Sequence, residues 1–390
     1  MSCNLTTSIR SNFELEMIKT DLGFYFNLMT EISKYKSASI LIFGIVPYLS
    51  LFKVETSKYL WDNFPSYAHT LAKNKKYDEV VQSSRMRIKF FDDTVKRVDG
   101  TFELLDWIKR FHESHINQHK GLLGLLKRAL QDDLGIFFYN GHVIGSTHTG
   151  LFNLGFEEKQ FPITSKENFK VLGELSKSVG TEIGEYFGQL TQFHEFALSS
   201  LNSHFVYNIQ DNNLKYKDEK SRRFLARIFN GDKAEELNLS LLLLLTTVNF
   251  FQLIFNQLTD GSPSTMFKMK FVLLYHLASS LSKLQNYYYP KSLLTGQSKE
   301  FFKAILKDSD LRNLSRKSKF RNNMVHYRIE NLPTEKLSFD KKLYGLVEYY
   351  FEGQSYDEVN QTLNVQIKRV AKLLEEWLDL HVLPNTLSNW

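Results

Sequence analysis

The chain has 390 residues, enough for two domains of ordinary size or one large helical domain. Apolar residues make up 43% and charged residues 24%, with 32 Phe and 19 Tyr against only 19 Gly and 7 Pro; this excludes a disordered chain and leans toward long helices around an aromatic core. A single cysteine, Cys3, excludes an intramolecular disulfide and a cysteine zinc site and fits a reducing cytoplasm, while a net charge of +6 mildly favours an anionic partner such as RNA.

The first residues, MSCNLTTSIRSNFELEM, lack the apolar core of a signal peptide. Apolar residues at helical spacing predict a helix over 13–35. The apolar run 38–52 has 15 residues and contains Pro47, short of the ~20 needed to span a bilayer. Residues 102–130 read as an amphipathic helix, with Leu104, Leu105, Ile108 and Phe111 at i, i+3, i+4 spacing. His112, His115 and His119 share a face of that helix. Such a stripe could bind zinc, but with no carboxylate or cysteine partner in the pattern it reads as exposed surface, and no metal or cofactor is expected.

Two short apolar runs flank Asn140-Gly141 and predict a β-hairpin over 135–147. The glycines of 140–150 match neither a phosphate loop nor a dinucleotide fingerprint and are explained by a hairpin and turn. Residues 153–166 read as a loop. His194-Glu195 lacks the second histidine of a zinc protease motif, and no Gly-x-Ser-x-Gly elbow supports a serine hydrolase.

The polar stretch 208–223 is the best candidate boundary, dividing a mostly helical region 1–207 from a helical bundle 208–390. A helix is predicted over 234–258, and residues 237–258 are long and apolar enough for a membrane span. However, Asn249, Gln252, Asn256 and Gln257 crowd the second half and no basic cluster flanks it, so a buried core helix is expected and no membrane partner. Helices are also predicted over 265–289, ending at Pro290, and over 311–329. The aromatics of 284–291 read as a packed helix end rather than a base-stacking platform. Ser355 and Glu358 form a capping box ahead of a last helix whose apolar residues run from Val359 to Trp377. Strands do not alternate with helices, so the expected class is mainly α with a small β-hairpin.

The densest positive charge lies at 306–328, where Lys307, Arg312, Arg316, Lys317, Lys319, Arg321 and Arg328 face only Asp308 and Asp310. Inside it stands Arg321-Asn322-Asn323-Met324-Val325-His326. On a helical wheel Phe320, Met324 and Tyr327 fall on one side, and Asn322 and His326 nearly opposite, beside Val325 and Ile329, with Arg321 at the edge. An imidazole, an amide and a guanidinium suit metal-free RNA cleavage. Histidine moves protons near neutral pH, a guanidinium fork fits the charge that builds on phosphate, and an amide orients either. The aliphatic fringe suits a partner surface. One histidine does not easily serve both sides of a phosphorus, and a symmetric dimer would supply a second.

These residues resemble the motif of the HEPN superfamily: an arginine, often followed by a polar residue, and a histidine after a spacer of four to six residues, on a late helix of a bundle. The resemblance covers about residues 200–385. It implies a metal-independent endoribonuclease acting as a homodimer with a composite site, leaving 2′,3′-cyclic phosphate ends. It also implies a toxin or antiviral role, with an antitoxin or phage trigger as partner. Arg321 would hold the phosphate, His326 transfer protons and Asn322 position them. Some relatives carry a tyrosine two residues after the histidine; here Arg328 takes that place and Tyr327 is adjacent. A second match, Arg110 to His115, lacks the polar residue after the arginine. The competing expectation is a non-catalytic helical module that binds a protein or a nucleotide.

Overall fold

A computed structural model describes residues 2–35, 38–71, 77–93, 97–116, 132–159, 168–196, 206–207, 209–229, 234–255, 258–259, 263–329, 332–379 and 388–389. The class is mainly α. The helices before the hairpin are α1 (Ser2–Ile32), α2 (Ala38–Asn63), α3 (Pro65–Leu71), α4 (Asp78–Met86) and α5 (Arg97–Ile116). Strands β1 (Leu134–Tyr139) and β2 (His142–Ser146) form the expected hairpin. Asn140 and Gly141 both take positive φ, 51° and 83°, as a two-residue turn requires. The chain then enters α6 (Thr147–Leu154) in place of the expected turn, because the Ser146 hydroxyl caps the helix by accepting from the Thr149 amide at 3.0 Å.

Next come α7 (Asn168–Gln192), β3 (Val206–Tyr207), β4 (Leu214–Glu219) and α8 (Ser221–Leu225). The polar stretch read as a boundary thus contains a strand. β4 pairs antiparallel with β1 along its length, so β1 lies between β2 and β4, and β6 (Ser388–Asn389) borders β4. Alternation of Leu214 and Tyr216 with Lys215 and Lys217 carries the signal, weakened by a charged outer face. The two-residue strands β3 and β5 (Leu258–Thr259) pair separately. The remaining helices are α9 (Glu235–Leu253), α10 (Pro263–Tyr288), α11 (Gly296–Leu306), α12 (Ser309–Arg316), α13 (Ser318–His326), α14 (Leu346–Tyr350) and α15 (Tyr356–Leu378).

α9 and α10 are the central rods, with α15 packed on both. The Ser355–Glu358 capping box is present at the start of α15, and Val359, Leu363, Ile367, Val370, Leu374 and Trp377 are buried at the expected spacing. Every residue of α9 from Leu237 to Phe251 is buried. Among its polar residues, Asn249 donates to the Val143 carbonyl at 3.0 Å and to Glu375 at 2.8 Å, joining α9, the hairpin and α15. Helices α2 and α9 are each long and apolar enough to cross a membrane by length and composition, yet most of both windows is buried within the fold.

Helix α2 runs straight through Pro47, where the sequence suggested a short run. Proline has no N–H to give the Phe43 carbonyl. The buried Asn153 side chain on α6 supplies the missing donor at 3.0 Å. Close packing adds to this: a Cβ on Gly44 would stand 2.4 Å from the Phe250 ring of α9. α2 thereby lies against the hairpin region on one side and reaches α13 with its C-terminal half.

Candidate functional site

The motif helix is shorter than its periodicity suggested. The predicted element 311–329 breaks at Lys317 (φ −83°, ψ 54°) into α12 and α13, and α13 ends at His326. Phe320 anchors α13 through ring contacts with Phe271, Tyr350 and Phe351, at 4.8, 5.6 and 5.2 Å between centroids. Tyr327 adopts left-handed φ and ψ of 49° and 36°, a cost of about 1–2 kcal/mol for a residue with a Cβ. Its buried environment holds it there. The phenol donates to Asp21 of α1, and Lys268 of α10 lies over the ring at 4.3 Å. Asp21 also accepts from Lys268 and from Thr265 at 2.6 Å. Burial first, then the Asp21 charge, drives the Tyr327 phenol well above its ordinary pKa, so it stays a donor.

Because the helix stops at His326, Ile329 turns inward, and its amide donates to Glu14 at 2.7 Å. Val325 and Ile329, expected to fringe a partner surface, are instead buried in the chain's own core.

His326 stands at the edge of an open cleft of about 360 Å³. Glu55, Lys58 and Tyr59 of α2 line one wall, and Asn322, Asn323, His326 and Arg328 the other. The His326 Nδ1 donates to Oε2 of Glu55 at 2.9 Å. Glu55 is only 2% exposed, whereas the imidazole is 34% exposed. The other carboxylate oxygen, Oε1, takes Arg85 of α4 at 2.6 Å and Lys58 at 3.2 Å. Burial alone would push the Glu55 carboxyl up. The His326 hydrogen bond and the charges of Arg85, His326 and Lys58 outweigh it and hold the group below its ordinary value. Glu55 is thus an anion that fixes the imidazole tautomer with Nδ1 protonated. The Nε2 has no hydrogen-bond partner among the described residues.

Asn322 is exposed on the same cleft as His326. Asn323 is buried and donates to the Tyr350 hydroxyl at 3.0 Å. Arg328 pairs with Asp62 at the rim. Arg321 does not line this cleft. Its guanidinium lies over the Tyr275 ring of α10, 5.3 Å from the centroid. Five positions separate it from His326, about 140° around a helix, so the two side chains leave α13 in different directions.

The other sequence candidates lie elsewhere. Arg110 makes a surface pair with Asp106 at 2.8 Å. His112, expected on an exposed stripe, is buried: Nδ1 donates to the Ile108 carbonyl at 2.8 Å, and its ring meets that of His148 at 4.5 Å. Its neighbour His119 and the His115 side chain lie outside the described residues. Among the described residues no group of three or more His, Cys, Asp or Glu is placed to hold a metal ion. At the end of α10, Tyr287 and Tyr288 pack, and Lys291 covers Tyr287 at 3.3 Å.

Glu55 and Lys58 are the site residues that sequence reasoning missed. Their local signal is a Glu-x-x-Lys spacing that puts both on one helix face. Nothing in it points to a histidine 271 positions away. Comparison with family models, curated proteins and solved structures finds no match to this chain.

Proposed function

We propose that the chain is a metal-independent endoribonuclease of the HEPN type, cleaving RNA by attack of a 2′-hydroxyl on the adjacent phosphorus. The observation that carries this reading is the His326–Glu55 pair: a half-exposed imidazole in an open cleft, held through Nδ1 by a buried carboxylate. This is the arrangement of a general acid–base. The carboxylate fixes the ring, while Nε2 is left to exchange a proton with a reacting oxygen. Asn322 on the same wall can orient that oxygen or a phosphate oxygen, and Lys58 and Arg328 give the cleft its positive charge.

A single imidazole serves one side of the phosphorus. The reading therefore pairs two copies of the chain so that a second His326 faces the leaving 5′-oxygen. A cytoplasmic toxin or abortive-defence role, with an antitoxin or a phage component as regulator, follows from the resemblance alone. Incubation of the purified chain with RNA in excess chelator tests the chemistry. Fragments ending in 2′,3′-cyclic phosphate are expected; 3′-hydroxyl ends, or RNA left intact at every ionic condition, contradict it.

A second reading is favoured by the direction of Arg321. With the motif arginine outside the cleft, the same fold could bind an anionic ligand without cleaving it. Equal RNA binding by wild type and His326→Ala, with no cleavage by either, selects that reading.

A further inference from the structure

Arg321 leaves the cleft but does not enter bulk solvent. It reaches the turn of α10 that carries Tyr275 and His276, and its Nε is buried with no hydrogen-bond partner among the described residues. Lys89, in the short 3-10 turn after α4, is fastened to the same part of α10: the Ser280 hydroxyl donates to its carbonyl at 3.2 Å. Arg85 lies one turn before Lys89 and takes Oε1 of Glu55, the carboxylate whose Oε2 holds His326. A row of cations thus links the His326 cleft, through Glu55 and Arg85, to Lys89 and Arg321, because the Lys89 ammonium feels the charges of both arginines.

The carboxylates near this row are engaged. Asp92 accepts from His276 at 2.9 Å, from Ser279 at 2.7 Å and from Lys283 at 2.6 Å, and Asp93 is buried. Neither Lys89 nor Arg321 has a carboxylate within ion-pair distance among the described residues. Partial burial, then repulsion from Arg85 and Arg321, lowers the Lys89 ammonium below its ordinary value, although Asp93 and Asp92 oppose this. His276 is lowered too, by burial first and also by Arg321 and Lys89, against the pull of Asp92. Cations gathered at a half-buried surface with two of them unpaired match a site for an external anion, and a guanidinium beside an ammonium suits a phosphate.

We propose that Arg321 and Lys89, continued by Arg85, form a second phosphate subsite that takes the RNA phosphodiester next to the one at His326. This rests on the ribonuclease reading and deepens it: the motif arginine grips a neighbouring phosphate instead of the scissile one. The substrate is then single-stranded RNA long enough to lay consecutive phosphates along the row, and a dinucleotide is a poor substrate.

The test is binding of a fully 2′-O-methylated RNA oligomer, which cannot be cleaved by this route, followed by fluorescence anisotropy over a series of salt concentrations. Lys89→Gln and Arg321→Gln are each expected to weaken binding and to lower the slope of log K against log salt by about 0.7, the contribution of one single-strand phosphate contact. Thermal melts report that the variants are folded, and should either fail to fold, Lys89→Met, which keeps the aliphatic stem and loses the charge, serves in its place. If both variants bind like wild type while Lys58→Gln weakens binding, the subsite is wrong and the cleft stands. If the wild type binds no oligomer but does bind inorganic phosphate, the row serves a free anion and the proposal fails with the reading it rests on.

Discussion

The Glu55 carboxylate holds three side chains, and only one of them is suited to chemistry. Arg85 and Lys58 neutralise Oε1, while His326 uses Oε2 and presents its other nitrogen away from the carboxylate. Glu55→Gln keeps the shape and a possible hydrogen bond but removes the anion that holds the Nδ1–H toward it. It also lets the amide present its NH2 to Nδ1, which invites the wrong tautomer. We expect kcat for RNA cleavage to fall by about 10²-fold or more, with little change in KM. An unchanged kcat would remove Glu55 from the proposed mechanism. The motif itself was legible as letters: Asn322 and His326 share a wall, as one turn of helix dictates. The direction of Arg321 was not legible, because a wheel places a Cβ and leaves a long side chain free to follow its best contact, here the Tyr275 face.

At the scale of elements, α2 links the fold to the site. Its first turns pack on α9 at Gly44 and are tied to α6 through Asn153, and its last turns carry Glu55, Lys58 and Tyr59 into the cleft. Gly44→Ala forces a Cβ to within 2.4 Å of the Phe250 ring, so the helices must part or the ring must turn. A destabilisation of about 1–3 kcal/mol is expected from denaturant titration, together with weaker RNA cleavage because the Glu55 wall moves. Stability equal to wild type would show that the packing is looser than the contact implies.

Sequence periodicity found the well-behaved elements: the hairpin at Asn140-Gly141, the buried α9 and the capped α15. It erred where a distant partner decides. The run around Pro47 read as a short apolar stretch, and only Asn153, 110 residues from the Phe43 carbonyl it bonds, explains how the helix continues past the proline. The end of α13 depends on Tyr327 finding Asp21, 306 residues away. Strand β4 looked like a polar linker because its charged outer face masks a short alternation, and only β1 makes it a strand.

At the scale of the molecule, α2 and α13 line the cleft, α4 reaches it through Arg85, α1 and α10 hold the Tyr327 beside it, and all share one core. Two buried histidines away from the cleft set how that core responds to acid. His148 has both ring nitrogens buried, with no hydrogen-bond partner among the described residues. Burial, then His112 and Lys109, holds it well below its ordinary value of 6.5. His276 is lowered by burial despite Asp92. For a base whose folded pKa is depressed, the unfolded chain binds protons that the folded chain refuses. Stability is therefore full above about 6.5 and falls as pH drops below it. The carboxylates Glu55 and Asp92, held below their ordinary values, add a further loss only below about 4.3. Urea midpoints are expected to be lower at about pH 5.5 than at about pH 7.5, and His148→Phe should narrow that gap. Midpoints that are flat, or that rise toward acid, would contradict this assignment.

The ribonuclease reading depends most on His326, and the direct measurement is the rate of RNA cleavage in chelator by wild type and by His326→Ala, with circular dichroism matched between them. The account predicts cleavage by the wild type and a loss of at least about 10²-fold in the variant. Cleavage by the variant at the wild-type rate would contradict it.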